Sequence, residues 1–306
     1  MAPHRPAGST LLLVVALLLQ CIIGCTSDGA PDSNSNNPDS ASAAPVRLVS
    51  LSPAISRTLV DFELDQYLVG CTPFCPTAND ATVIGDLHDV NHERLIKLAP
   101  THVLVQPPAG GLSDSFRELA GRHGWALHTW SLNDIGDIAA LIDTMPEVFA
   151  ESAPDLADRA RQQAEELSDR LSQALRPLDD GVWRGRTLLL AGTDPVLVYG
   201  SDTYLDDLLR AMGVPNATET RHWSQLSMED VTRLNPEAVI LLEAGADEST
   251  DPLELAGPIG RLDIAAIREN RVGVLTHPDA ILPSSAIIEV AAELRAVLNG
   301  FNEADS

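Results

Sequence analysis

The chain has 306 residues, enough to bury two moderate cores, and its 44% hydrophobic and 21% charged content is that of a globular protein. With 44 acidic against 20 basic residues the net charge is −24, which argues against nucleic acid and against an anionic membrane surface as partners. No Gly-x-Ser-x-Gly elbow, phosphate-binding loop or His-Glu-x-x-His pattern occurs, so nothing in the chain speaks for an enzyme.

Residues 1–24 read as a targeting segment. Arg5 supplies a thin positive region, and the apolar run from Leu11 to Leu19 is too short to span a bilayer. Ile22-Ile23-Gly24-Cys25 resembles a bacterial lipobox, in which Cys25 is lipidated and becomes the new N-terminus. Residues 25–45 are rich in Ser, Asn, Asp, Pro and Ala, a composition that does not pack, and are expected to be a flexible tether. The expected product is an exported lipoprotein, anchored in the membrane and facing the periplasm or the cell exterior.

A first folded region is expected over 46–150. Val46 to Leu51 reads as a buried strand, and Ser52-Pro53 as an N-cap followed by proline at the first position of a helix running to about Glu63. That junction aims backbone N–H groups at the carboxyl end of the strand, where open α/β sheets bind ligands. Tyr67 to Cys71 is the next strand, with Cys71-Thr72-Pro73-Phe74-Cys75-Pro76 as its loop. The two cysteines are either a local disulfide or two free thiols. Phe74, at a loop tip in a chain with 4% aromatics, is a candidate ligand contact. Val83-Ile84 with Gly85-Asp86-Leu87 is a short strand and turn. Ala126 to Thr129 is a strand ending at Trp130, which either packs or walls a cleft. Asn133 or Asp134 caps a helix to about Phe149.

Residues 151–178 are expected to form a connecting helix, with Ser152-Ala153-Pro154-Asp155 as a capping box. Leu156, Ala160, Ala164, Leu167, Leu171 and Leu175 mark its apolar stripe. A second region, 179–306, begins with the strand Thr187 to Ala191, followed by a short extended piece from Val196 to Tyr199 and a helix ending near Met212. Arg261 to Glu269 reads as helical, Val272 to Thr276 as the last strand, with His277-Pro278-Asp279 at its carboxyl end, and Pro283 to Leu298 as the final helix.

Two stretches nearly copy each other. Asn91-His92-Glu93 through Pro100, then Val103-Leu104-Val105, matches Ser227-Met228-Glu229 through Pro236, then Val239 to Leu242, 136 positions later. Each has an N-cap residue, a glutamate in the first turn, a short apolar stripe, a terminating proline and a continuous apolar run that reads as a buried parallel strand. An offset that long is not a solenoid period and points to two similar lobes. Singly, each glutamate is a good first-turn residue; the pair in matched places suggests a shared task.

Arg47-Leu48-Val49-Ser50-Leu51-Ser52-Pro53-Ala54, Val69-Gly70-Cys71-Thr72, Gly85-Asp86, Asn91-His92-Glu93-Arg94-Leu95, Asp194-Pro195 with Gly200, Trp223 with Ser227-Met228-Glu229, and Asn235-Pro236 follow one another in order. Together they resemble the cobalamin and ferric-siderophore substrate-binding proteins of ABC importers. The resemblance implies an α/β fold of two Rossmann-like lobes with mainly parallel sheets, joined by one long rigid α-helix, with the ligand between them. It implies no intrinsic cofactor, only a transported corrinoid or ferric chelate, and a monomer that meets an importer permease dimer. It places Glu93 and Glu229 at the permease, and Ser52, Pro53, Phe74, Asp86, Leu87, Trp223 and Asp279 around the ligand. It is closest to the cobalamin-binding members, with Trp223 facing the corrin, although Gly85-Asp86-Leu87 stands where relatives often carry another tryptophan. A ferric siderophore or haem is the alternative, for which Arg221 and Arg57 are the arginines on offer. A zinc or manganese site would have to draw on His88, His128, His222 and His277.

Overall fold

The computed structural model describes residues 45–76, 80–86, 89–247 and 249–303. Cys25, the targeting segment, nearly all of the tether, Leu87 and His88 lie outside the described residues. The strands are β1 (Leu48–Ser50), β2 (Leu68–Cys71), β3 (Thr82–Val83), β4 (His102–Val105), β5 (Ala126–Thr129), β6 (Thr187–Thr193), β7 (Val196–Tyr199), β8 (Trp223–Leu226), β9 (Ala238–Leu242) and β10 (Val272–Leu275). They form two five-stranded sheets, ordered β3-β2-β1-β4-β5 and β10-β9-β6-β7-β8.

Every pairing in the first sheet is parallel. In the second, β10, β9 and β6 are parallel, whereas β7 and β8 add antiparallel to the edge. The cause is connection length. Only Asp194 and Pro195 separate β6 from β7, and so short a link joins antiparallel neighbours, never a crossover. The fold class is therefore two mostly parallel α/β lobes, as expected, with β8 the strand that sequence reasoning did not anticipate. Trp223-Ser224-Gln225-Leu226 mixes polar and apolar side chains on an edge strand and gives little signal of burial.

The helices are α1 (Pro53–Asp61), α2 (His92–Leu98), α3 (Asp114–His123), α4 (Ile135–Thr144), α5 (Pro154–Ala174), α6 (Tyr204–Met212), α7 (Met228–Leu234), α8 (Pro252–Leu255), α9 (Ala265–Arg268) and α10 (Ile287–Glu303). Several expected boundaries shift. The segment read as one helix from Arg261 to Glu269 is a 3-10 turn, Ile259–Arg261, followed by the single turn of α9. The helix after Asp134 passes into a 3-10 turn at Met145–Phe149, where Pro146 cannot donate to the ladder. The final helix starts at Ile287 rather than at Pro283.

The internal repeat survives to the level of single dihedral angles. Asn91 caps α2 by accepting from Arg94 N at 2.9 Å, and Ser227 caps α7 through a reciprocal box with Asp230. Both helices stop on a left-handed residue, Ala99 at φ 43° and Asn235 at φ 44°, immediately before the proline. The exposed carbonyls at each helix end are then met by an arginine that precedes the lobe's first strand. Arg47 Nη2 donates to Leu98 O at 2.6 Å, and Arg186 Nη1 to Leu234 O at 3.1 Å. This second layer of the repeat went unread, because its members lie some fifty positions apart in each lobe.

α5 is 21 residues, about 32 Å long at 1.5 Å per residue. Leu156, Ala157, Ala160, Ala164, Leu167 and Leu171 are buried, and Leu175 is half-buried at its end. The capping box expected at Ser152 does not form. Ala153 is the N-cap without a side-chain bond, and Ser152 Oγ lies 3.1 Å from His102 Nε2 instead. The inner faces of both sheets, α1, α4, α5, α6 and α10 share one apolar core, with Leu48 and Leu104 of one lobe in the same cluster as Leu189 and Ile240 of the other. Separate clusters cover the outer face of each sheet. A hinge motion would have to expose that common core, so the bridge is rigid by packing and not merely by length.

Candidate ligand site

Ser52, Phe74 and Asp86 follow the carboxyl ends of three adjacent parallel strands, β1, β2 and β3. Ser52 is buried and its hydroxyl is fully engaged. It accepts from Ile55 N at 3.3 Å as the N-cap of α1 and donates to Gln106 Oε1 at 2.9 Å. Pro53 is half-buried at the first helical position. Asp86 is exposed in a tight turn whose Asp86 Oδ1 accepts from Asp89 N at 3.0 Å. The preceding Gly85, at φ 90°, has no room for a side chain, since a Cβ would stand 2.1 Å from Asp89 O. Phe74 is 78% exposed at its loop tip.

On the second lobe a continuous chain of contacts joins two predicted residues. Trp223, 52% exposed, leans on the wholly buried Tyr199 with ring centroids 4.4 Å apart. Tyr199 meets Tyr204 edge-on at 6.0 Å, and burial pushes both phenols up from their ordinary range. Tyr204 donates through its hydroxyl to Ala280 O at 2.8 Å, and Ala280 follows Asp279. Asp279 Oδ2 then reaches across to the first lobe, 2.9 Å from Arg57 Nε on α1. Trp223 and Asp279 are thus linked to the helix that Ser52 and Pro53 begin, although 227 positions separate Ser52 from Asp279.

Arg57 lies between two carboxylates. Its Nη1 is 2.5 Å from Asp61 Oδ1, and Asp61 Oδ2 accepts from Ser285 Oγ at 2.5 Å. Burial pulls the guanidinium down, but the hydrogen bond to Asp61 and the charges of Asp61, Asp279 and Glu289 leave it above its ordinary value. Arg221 is tied to Asp202 at 2.5 Å. Both arginines read from the sequence as receivers for an anionic ligand therefore already hold carboxylates. Trp130 resolves towards packing: its indole N–H donates to Thr144 Oγ1 at 2.8 Å while the ring packs against the core.

Glu93 and Glu229 stand exposed in the first turns of α2 and α7. Glu93, 80% exposed, meets Lys97 at 2.7 Å, a surface pair worth well under about 1 kcal/mol. Of the four histidines considered for a metal, His128 is bonded to His102, His277 Nδ1 accepts from Asp279 N at 3.1 Å, and His222 is exposed. Among the described residues no group of three or more His, Cys, Asp or Glu could hold a metal ion.

A cavity of 730 Å³ lies on the amino-end side of the first sheet, away from Ser52, Phe74, Trp223 and Asp279. His102, His123, His128, Glu147, Glu151 and Ser152 are in its wall. His102 Nδ1 is 3.2 Å from His128 Nε2, so with Ser152 they form a three-member chain from β5 through β4 to the start of α5. Sequence reasoning weighed His128 as a metal ligand and missed its partner His102, which lies 26 positions away.

Two α/β lobes fused along a rigid helix, with Arg57 of one paired to Asp279 of the other, have the architecture of a two-lobed binding protein. The chain belongs to the periplasmic binding protein family, whose model matches residues 48–278. It is a substrate-binding protein of an ABC transporter and not an enzyme; its partners are a permease and a small-molecule ligand, and what it holds is cargo rather than a resident cofactor. Among curated proteins it is 21% identical over 272 residues to the uncharacterized ABC transporter substrate-binding lipoprotein YvrC of Bacillus subtilis (strain 168), covering 86% of this chain and 83% of that protein. Among solved structures it is similar to the periplasmic heme-binding protein RhuT from Roseiflexus sp. RS-1, at TM-score 0.65 and 19% identity over 85% of this chain and all of that one. It is also similar to the periplasmic vitamin B12 binding protein BtuF of Vibrio cholerae, at TM-score 0.62 and 16% identity over 83% of this chain and 97% of that one.

Proposed function

We propose that this protein captures a corrinoid of the cobalamin type between its lobes and delivers it to an ABC importer. The observation that carries this reading is the combination of one supported aromatic ring and two committed arginines. Trp223 offers a flat exposed ring backed by Tyr199, while Arg57 and Arg221 are both committed to carboxylates. A large flat ligand with an amide periphery needs the first and does not need a free guanidinium. Haem needs the same aromatic face but brings two propionates, and an anionic ferric siderophore brings more charge still; neither finds a ready partner in those arginines. Likeness to haem-binding structures speaks for the shared fold and does not choose between the ligands.

The deciding experiment is equilibrium dialysis of the purified protein against cobalamin, cobinamide, haem and a ferric-siderophore panel, with quenching of tryptophan emission as a second signal. Saturable corrinoid binding is expected, weakened at least about tenfold in Trp223→Ala, the loss of roughly 1.4 kcal/mol of stacking contact. Because Trp223 is half-exposed, its truncation opens no core cavity. Binding of haem or a ferric chelate, with none of corrinoid, would overturn the ligand.

Delivery rests in this reading on Glu93 and Glu229, presented at matched positions on two equivalent short helices. Reversing both, Glu93→Lys with Glu229→Lys, is expected to abolish uptake in cells while leaving ligand affinity unchanged. Normal uptake by the double variant would remove the docking role. A lipidated Cys25 followed by residues 26–45 as a tether completes the proposal. It places the protein as an exported, membrane-anchored lipoprotein, in keeping with the description of the Bacillus subtilis relative.

A further inference from the structure

β2 ends at Cys71, which is buried, and the chain then turns over Thr72, Pro73 and Phe74 to reach Cys75, which is half-buried. The turn is closed by Cys75 N donating to Thr72 O at 3.3 Å. The Cys75 sulfur is folded back across it, accepting from Thr72 N at 3.3 Å and standing 3.0 Å from Thr72 Oγ1. It thereby lies against the backbone of Thr72, the residue that directly follows Cys71. Both are free thiols in the structure, and neither belongs to a metal-binding group of three or more ligands among the described residues. Two cysteines at the two ends of a closed turn, one buried and one half-buried, with the second sulfur folded back over the turn, have no task in ligand binding as read above.

We propose that Cys71 and Cys75 form a thiol–disulfide site, in which oxidation joins the two sulfurs into a ring enclosing Thr72, Pro73 and Phe74. The asymmetry of the pair sets the order of events. Burial, then the neighbouring Cys75, pushes the Cys71 thiol up to about 11, so the more accessible Cys75 is the attacking group. Its thiolate attacks one sulfur of an external disulfide, a small-molecule or protein oxidant, and one thiol of that oxidant departs. Cys71, losing its proton to solvent, attacks Cys75 Sγ in the mixed disulfide and releases the second thiol. Two protein thiols and one external disulfide become one protein disulfide and two external thiols, so electrons and protons balance.

The consequence falls on Phe74, the most exposed large apolar side chain among the described residues. Closing the ring would hold its loop in one conformation, lowering the ordering cost of any contact that Phe74 makes with a ligand; this last link rests on the ligand reading given above.

The full chain is equilibrated in a series of reduced and oxidised glutathione mixtures, remaining thiols are alkylated, and the protein is digested with trypsin. The peptide between Arg57 and Arg94 contains Cys71 and Cys75 and neither of the other two cysteines. It is expected to lose two hydrogens towards the oxidising end of the series and to carry two alkyl groups at the reducing end. Amide exchange across residues 72–76 is expected to slow at least about threefold on oxidation in the native protein and not in Cys75→Ser. A doubly alkylated peptide, or a stable glutathione adduct, at the oxidising end would overturn the proposal, as would a disulfide that leaves exchange unchanged. If the bond forms and exchange slows but corrinoid fails to bind in either redox state, the thiol site stands and the ligand reading falls.

Discussion

Replacing Arg57 with alanine is expected to destabilise the protein by about 2–4 kcal/mol. The guanidinium and its partner Asp279 are only 14% and 18% exposed, so truncation leaves the carboxylates of Asp61 and Asp279 close together with no cation between them. The residual exposure is why the upper end of the range for fully buried pairs is not reached, since water will partly solvate the orphaned charges. The loss also severs a tie between lobes. Arg57 and Asp61 belong to α1 of the first lobe, whereas Asp279 and Ser285 belong to the segment after β10 of the second. Arg57→Lys should fall between, because a single ammonium cannot present the separate Nε and Nη1 donors that now meet two acids. Arg57→Leu combined with Asp61→Asn and Asp279→Asn should recover more than half of the loss by leaving no unpaired charge. Urea unfolding of the four proteins measures this. A cost below about 1 kcal/mol for Arg57→Ala would mean the cluster is solvated and does not clasp the lobes.

What could be read from the sequence follows the range of the physical signal. The N-caps at Asn91 and Ser227, the first-turn glutamates and the terminating prolines act within one helix turn, so the two lobes were visible in a single pass. The buried stripe of α5 repeats every three or four positions and was equally plain. Interactions whose partners are set by the packed fold were hidden. Asp279 was a residue near a strand end, and nothing local tied it to Arg57, 222 positions earlier. Arg57 itself was taken as a cation available to a ligand, which ignores the acids that tertiary structure brings to it. Ser152 illustrates competition between levels: locally it suits an N-cap, but His102 lies within reach and takes its hydroxyl. Trp223 was identified through resemblance, while its support, the buried Tyr199, depends on the pairing of β7 with β8. At the ligand site, then, exposed side chains were legible as types, and what neutralises or backs them was not.

Mild acid is expected to weaken this protein through His102. The imidazole is 5% exposed. It faces His128 Nε2 from β5, Ser152 Oγ from the start of α5 and the edge of Phe149 at 5.8 Å, with His123, Glu147 and Glu151 also in the wall of the adjoining cavity. Burial, and then the neighbouring His128, pull its value from 6.5 down to about 4, and burial lowers His128 as well. A histidine depressed in the folded state binds its proton more readily when unfolded, so its stabilising contribution is complete above about pH 6.5 and is lost as pH falls towards 4. For His102 alone the loss is about 2 kcal/mol at pH 5 and about 3 kcal/mol in full, with His128 adding to it as a coupled pair. Asp202, Asp230 and Asp247 are all held below the usual carboxylate range, so their own contributions disappear only at more acid pH, whereas burial raises Asp207, whose protonation in the folded state offsets part of the histidines' loss. Urea unfolding at about pH 7, 6 and 5 should show the decline in the native protein and a much flatter profile in His102→Asn, which lacks a titrating ring. Should stability prove constant between pH 7 and 5, the chain from His128 to Ser152 is open to water and does not hold the spine helix to the first sheet.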